Sequence, residues 1–159
     1  MISIVTGAAY GDEGKGKVIA WLSSLYNIII RAGGGPNAGH TVDGKRYVCQ
    51  VTSGFVNDNA TLLIGRGTVI NPVILLNEIN KYNLHKRVFV DYGCTIIEDE
   101  DIEIEKELVK RIGSVGTGTG SARSKRIMRN AKIARDVPEL QPYLINVQDV
   151  LYKNFTKNI

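Results

Sequence analysis

Apolar positions in the 159-residue chain fall into short runs divided by glycine-rich stretches. Residues 2–5 are brief, β-branched and closed by Gly7, the pattern of a buried strand. Over residues 15–26, Val18, Leu22 and Leu25 share one face with Trp21 beside them, which predicts a helix. Residues 27–31 (NIIIR) read as a second buried strand. Strand, helix, strand is the alternation of an α/β fold with a parallel sheet flanked by helices.

Residues 32–41 hold four glycines and a proline, which forbid regular structure. Asp43-Gly44 marks a hairpin turn over residues 42–45, with residues 46–51 as the return strand. Residues 61–65 and 87–91 read as strands. Asn71 and Pro72 form a helix start, as N-cap and first helical residue, and Val73, Leu76 and Ile79 give the stripe that follows. Residues 98–112 predict an amphipathic helix with Ile104, Leu108 and Ile112 at spacing four. Residues 113–121 form a third glycine-rich stretch. Residues 122–130 continue as a basic helix with Arg123, Lys125, Arg126 and Arg129. Residues 132–134 suggest a short strand, and residues 138–144 and 147–155 suggest helices.

The length suits one domain with a real core. No apolar run approaches a membrane span, and Met1-Ile2-Ser3 lacks the start of a signal peptide. Cys49 and Cys94 have no metal or redox spacing and read as free thiols of a cytoplasmic protein. The net charge of +4 suits anionic small molecules. A nucleic-acid partner is disfavoured, because no dense Lys/Arg tract is interleaved with aromatics.

The strongest chemical signal is the first glycine-rich stretch, residues 6–18. A strand, a glycine-rich turn and a helix N-terminus aim backbone N–H groups at a phosphate. Gly11-x-x-x-x-Gly16-Lys17 is most of a Walker A loop, with Lys15 as a second cation. Val18 stands where that loop has the magnesium-binding hydroxyl. Asp12 is placed to supply the missing ligand, since magnesium takes carboxylates. His40, between Asn37, Gly39 and Thr41, is the acid/base candidate. His85 lies in a polar connection and reads as surface. The acidic run at 98–107 reads as a solvated helix face whose acids complement the macrodipole. The third glycine-rich stretch and its basic helix are a weak second anion site.

Gly11-Asp12-Glu13-Gly14-Lys15-Gly16-Lys17 with Asn37-Ala38-Gly39-His40-Thr41 resembles adenylosuccinate synthetase. Ile112-Gly113-Ser114-Val115-Gly116 followed by Arg129 is similar to that family's third nucleotide-contacting region. The likeness runs from Ile2 to about Val137. Gly35-Pro36-Asn37-Ala38-Gly39-His40 and Ala134-Arg135-Asp136-Val137 resemble the shorter archaeal and viral branch.

The resemblance implies a GTP-dependent ligase of purine biosynthesis that joins L-aspartate to inosine monophosphate through a 6-phosphoryl intermediate. It implies magnesium held by Asp12 and the Gly39 carbonyl. Asp12 would accept the purine N1 proton, and His40 would act as acid on the 6-oxygen. Gly11 to Lys17 with Gly39, His40 and Thr41 would bind GTP. Asp12 to Lys15, Asn37 to His40, Ser114 and Arg129 would bind the inosine nucleotide. Arg129 would act across a homodimer.

Two departures stand out. Val115 lacks the hydroxyl of the family's usual threonine, which leaves Ser114 or a backbone group to substitute. The chain is also shorter than the family and carries none of its later motifs. Residues 1–159 are therefore expected to be an N-terminal part, which a separately encoded C-terminal half would complete. Two alternatives remain at this level. One is a 2-aminoadenylosuccinate synthetase acting on dGMP, disfavoured by Asp12 where that signature has serine. The other is a non-catalytic nucleotide-binding fragment that needs a partner chain.

Overall fold

The computed structural model describes residues 2–8 and 11–156, so Ala9 and Tyr10 of the first glycine-rich stretch lie outside it, as do the side chains of Leu108, Phe155 and Thr156. Its frame is a parallel sheet whose strands are β1 (Ile28–Gly34), β4 (Thr61–Ile70), β5 (Val88–Asp91) and β7 (Leu144–Ile145), in that order. A two-residue strand, β6 (Thr95–Ile96), also pairs with the end of β4. Strands β2 (His40–Val42) and β3 (Arg46–Val48) form a separate antiparallel hairpin. Helices α1 (Lys15–Leu22), α2 (Pro72–Lys81), α3 (Asp99–Ile112), α4 (Thr119–Ile127) and α5 (Val147–Thr156) surround the sheet.

Strand β4 is the centre. Its apolar residues Leu62, Leu63, Ile64, Val69 and Ile70 are all buried, as a parallel strand covered on both faces requires. The core continues through Leu75 and Ile79 of α2, Val88 and Val90 of β5, and Leu140. Near the C-terminal end of β1 the register with β4 shifts between Arg31 and Gly33. Gly67 permits that close approach, since a Cβ there would lie 2.5 Å from the Ala32 carbonyl oxygen.

Several expectations hold. The parallel α/β class is correct, and β1 takes in residues 28–31 of the NIIIR run, although as a half-exposed rather than a buried strand. Asn71 caps α2, its side chain accepting the Ile74 N–H at 3.1 Å. Asp43 and Gly44 both have positive φ, as the hairpin turn demands.

Other expectations are corrected. Residues 2–5 are not a buried strand: they form no ladder, and Ile2 and Ile4 are 66% and 87% exposed. A four-residue strand takes its hydrogen bonds from neighbours, and β1 pairs with β4 alone among the described strands. The first helix stops at Leu22 and tightens into a 3-10 turn at Ser23–Leu25, leaving Val18, Trp21 and Leu25 exposed. Of the α2 stripe, Ile79 is buried and Leu76 packs against the core, but Val73 is exposed, and Leu75 and Glu78 are buried as well. Ile133 makes only an isolated bridge to Thr95, and Pro138–Tyr143 is 3-10 rather than α.

The largest reversal is in α3. Ile104 and Ile112 are exposed, whereas Asp101 and Glu105 are buried. The acidic run is therefore not a wholly solvated face. Glu105 turns inward to accept the unpaired N–H groups at the N-terminus of α4, and Asp101 to accept from the Ser121 hydroxyl, Lys125 and the Glu98 N–H, so that hydrogen bonding repays their burial.

Candidate phosphate-binding site

Gly14, in the left-handed region at φ 82°, is the N-cap of α1, and its carbonyl accepts from the N–H groups of Lys17 at 2.9 Å and Val18 at 3.2 Å. This turn presents the N-terminal end of α1 beside Lys15 and Lys17, the arrangement that receives anions. Lys15 pairs with Glu13 at 2.5 Å. That pair leans over Gly7, where a Cβ would lie 2.6 Å from both Glu13 Oε1 and Lys15 Nζ. Asp12 is exposed. Lys17, Trp21, Thr41 and Asp43 line a cavity of about 400 Å³ beside the loop.

The second motif leaves the C-terminal end of β1, the edge where open α/β sheets take ligands. Only part of it is loop: His40 opens β2 and pairs with Val48 of β3. This corrects the expectation that residues 32–41 lack regular structure. His40 lies against the first motif, since a Cβ on Gly16 would sit 2.7 Å from its Nδ1. Gly16 is thus the gap that lets the imidazole approach the phosphate loop. Tyr47 packs over Gly39, and the Tyr82 hydroxyl anchors it by accepting the Tyr47 N–H and donating to the Tyr47 carbonyl, each at 3.0 Å.

The third motif joins the second at Gly35, where a Cβ would lie 2.6 Å from Thr119 Oγ1. Thr117 and Thr119 share a hydroxyl–hydroxyl bond at 2.9 Å. The three glycine-rich stretches therefore converge, Gly16 on His40 and Gly35 on Thr119. Arg129 does not join them: it is exposed just beyond the C-terminal end of α4, the helix that Thr119 begins. Ser114 is half-buried and Asn37 exposed.

Three charged residues hold this arrangement: Arg31 and Glu78, which the sequence reading passed over, and Glu105, which it placed on a solvated face. The Arg31 guanidinium donates to the carbonyls of Gly33, Gly35, Cys49 and Gln50, tying the second motif to the chain beyond β3. Glu78, on the buried face of α2, accepts the N–H groups of Cys49 at 2.5 Å, Gln50 at 3.1 Å and Val51 at 2.8 Å. Glu105 accepts from Gly118 at 2.7 Å, Gly120 at 2.5 Å and Ser121 at 3.1 Å. The N-terminus of α4, read as a weak second anion site, is thus filled by the protein's own carboxylate. The signal for Glu78 was a carboxylate within an apolar helical stripe, and for Arg31 a cation ending an apolar strand.

Burial pushes the His40 imidazole below its ordinary value, Arg31 and Lys15 push it further, and Glu78 opposes them. At neutral pH the ring is therefore uncharged and offers one N–H. Burial, with Glu78 beside Cys49 and Asp91 beside Cys94, pushes both thiols up to about 12.

The donor set fits magnesium in part. No group of three metal-ligating side chains exists among the described residues. Magnesium usually needs only one or two carboxylates and completes its shell with phosphate and water. An exposed loop carboxylate at Asp12, next to a phosphate cradle, meets that requirement.

Fold and site together define a parallel α/β protein with a lysine-bearing glycine-rich loop at a helix N-terminus, a candidate phosphate cradle, and a histidine set against it. The chain belongs to the adenylosuccinate synthetase family, whose model matches residues 4–156. It is 45% identical to the adenylosuccinate synthetase of Methanococcus vannielii, over 94% of this chain and 47% of that protein. The fully ligated adenylosuccinate synthetase of Plasmodium falciparum shares the fold at a TM-score of 0.86 and 24% identity, over 96% of this chain and 48% of that one. Cyanophage S-2L succinoaminodeoxyadenylate synthetase, solved with dGMP and dATP, aligns at a TM-score of 0.76 and 25% identity, over 92% and 45%. The chain spans about half the length of the curated relatives it matches. No helix among the described residues is long and apolar enough to cross a membrane.

Proposed function

We propose that residues 1–159 are the N-terminal, phosphate-handling part of a cytoplasmic enzyme that ligates L-aspartate to inosine monophosphate at the expense of GTP. The observation that carries this reading is the apposition of His40 and Gly16, which brings the acid/base candidate to the phosphate cradle. In this reading Gly11 to Lys17 bind the GTP phosphates, and Lys15 and Lys17 stabilise charge on the moving γ-phosphoryl group. Asp12 takes the proton from purine N1. His40 donates its N–H to the purine 6-oxygen as that oxygen gains the phosphoryl group, and the aspartate amine then displaces phosphate. Asp12 and the Gly39 carbonyl hold magnesium, which when bound neutralises phosphate charge.

Asn37, Ala38 and Ser114 contact the inosine nucleotide, and Thr41 the GTP side. Ser114 takes the place of the hydroxyl missing at Val115. The exposed position of Arg129, away from the other motifs, suits a contact across a homodimer.

The identity to curated adenylosuccinate synthetases and the presence of Asp12 favour inosine monophosphate over dGMP. The half-length match favours a second reading, in which the chain binds nucleotide but turns over only with the rest of the fold. Phosphate release is measured with GTP, magnesium, aspartate and either inosine monophosphate or dGMP. The chain is assayed by itself and with the C-terminal half of the Methanococcus vannielii enzyme. Turnover on inosine monophosphate that His40→Ala abolishes supports the proposal. Turnover only on dGMP, or turnover indifferent to His40→Ala, contradicts it.

A further inference from the structure

We infer that Tyr82 is a positioning residue for the chemistry: its hydroxyl straps the β2–β3 hairpin to α2 and so holds His40 against Gly16. The inference rests on the proposed function, in which His40 acts beside the phosphate cradle. Strands β2 and β3 pair with each other and with no other strand among the described residues. A two-stranded ribbon is at best marginal by itself in water, so its placement depends on what grips it from outside.

The grip comes from α2. Tyr82 is the C-cap of that helix, and its hydroxyl takes both backbone groups of Tyr47, accepting the N–H and donating to the carbonyl, each at 3.0 Å. Both capacities of the hydroxyl, donor and acceptor, are spent on one residue of β3. The hydroxyl is itself fixed, since the Tyr82 ring packs on buried Phe55 with centroids 4.7 Å apart. Arg46, beside Tyr47 in β3, lies over the same Phe55 ring at 5.4 Å. Glu78, one turn earlier on α2, holds Cys49 to Val51 just past β3. Helix α2 therefore fixes β3 at Tyr47 and again beyond its end.

From Tyr47 the hold reaches His40 along two routes. Across the ladder, Tyr47 pairs with Thr41. Through its side chain it lies on Gly39, where a Cβ would overlap its hydroxyl. Gly39 and Thr41 flank His40, so the imidazole rides on a segment held before and after it. It ends against Gly16, where a Cβ would lie 2.7 Å from Nδ1. Tyr82 acts through Tyr47, and displacing a reacting group by about 1 Å can cost about 10²-fold in rate.

Tyr82→Phe keeps the ring and removes both bonds. Tyr143→Phe is the control, because the Tyr143 hydroxyl meets His85 Nδ1 at 2.9 Å instead. Two readouts need no turnover. Amide exchange at Tyr47 is expected to be about tenfold faster in Tyr82→Phe, with residues 62–64 unchanged. The nuclear Overhauser effect between the His40 ring and the Gly16 α-protons is expected in the unmodified chain, weakened in Tyr82→Phe and retained in Tyr143→Phe. In the phosphate-release assay with the C-terminal half of the Methanococcus vannielii enzyme, Tyr82→Phe is expected to lower kcat about tenfold and leave KM for GTP unchanged. An undiminished Overhauser effect in Tyr82→Phe, an equal loss in Tyr143→Phe, or an unchanged kcat despite a weakened effect overturns the inference. Absence of turnover in the unmodified pair overturns the functional reading alone, and the Overhauser comparison still decides whether Tyr82 holds His40.

Discussion

Gly16 and His40 set the character of the site at the scale of single residues. A glycine in the first turn of a helix costs conformational entropy, and here its missing side chain admits an imidazole. Burial, with Arg31 and Lys15 adding to it, keeps that imidazole neutral, so it enters as a hydrogen-bond donor rather than a fixed cation. The cysteines illustrate the opposite outcome. Both are buried, and with thiols pushed up to about 12 they carry almost no thiolate at pH 8. Ellman's reagent at pH 8 is expected to leave both unreacted in the folded protein and to titrate two thiols in guanidinium. Rapid reaction of either one in the native state would contradict their description.

Carboxylates act as internal ligands at the scale of elements. Glu78 fastens the chain beyond β3 to α2, and Glu105 with Asp101 fastens α4 to α3. Glu105→Ala strands three N–H groups and is expected to cost about 2 kcal/mol, read as a lower urea midpoint with the slope unchanged. Burial alone would raise the Asp101 carboxyl, but the Glu98 N–H, the Ser121 hydroxyl and Lys125 outweigh it and hold it below its usual value. A depressed carboxylate contributes stability above its unfolded value of about 3.8 and loses it as pH falls through the folded value. The α3–α4 pairing is therefore expected to loosen below about pH 4, and the loss should be smaller in Asp101→Asn.

These carboxylates also mark where the sequence was legible. Apolar runs, caps and turn residues locate β1, β4, α2 and the hairpin, because each depends on neighbours a few residues away. The three glycine-rich motifs were legible for the same reason. The inward turn of α3 was not, because Glu105 meets Gly118 only through tertiary folding. Residues 2–5 misled in the other direction: their pattern is that of a strand, but a strand also needs a hydrogen-bonded ladder, and they form none among the described residues.

The whole molecule has a graded structure. The core around β4, α2 and β5 is dense, while the β1 side carries exposed isoleucines and a groove. Protection against amide exchange should follow this gradient, strongest at residues 62–64 and near zero at residues 2–7. Equal protection of the two segments in the isolated chain would contradict it. The same gradient explains why a chain matching half of its relatives still forms a core: β4 is central within the matched part.

The central claim is that the first loop performs chemistry through Asp12 as well as holding phosphate. Asp12→Asn nearly preserves shape and removes the carboxylate. With GTP, magnesium, inosine monophosphate, aspartate and the complementary half of the Methanococcus vannielii enzyme, this variant is expected to lose about 10²- to 10⁴-fold in phosphate release, with its circular dichroism unchanged. Phosphate release equal to that of the unmodified chain would contradict the claim.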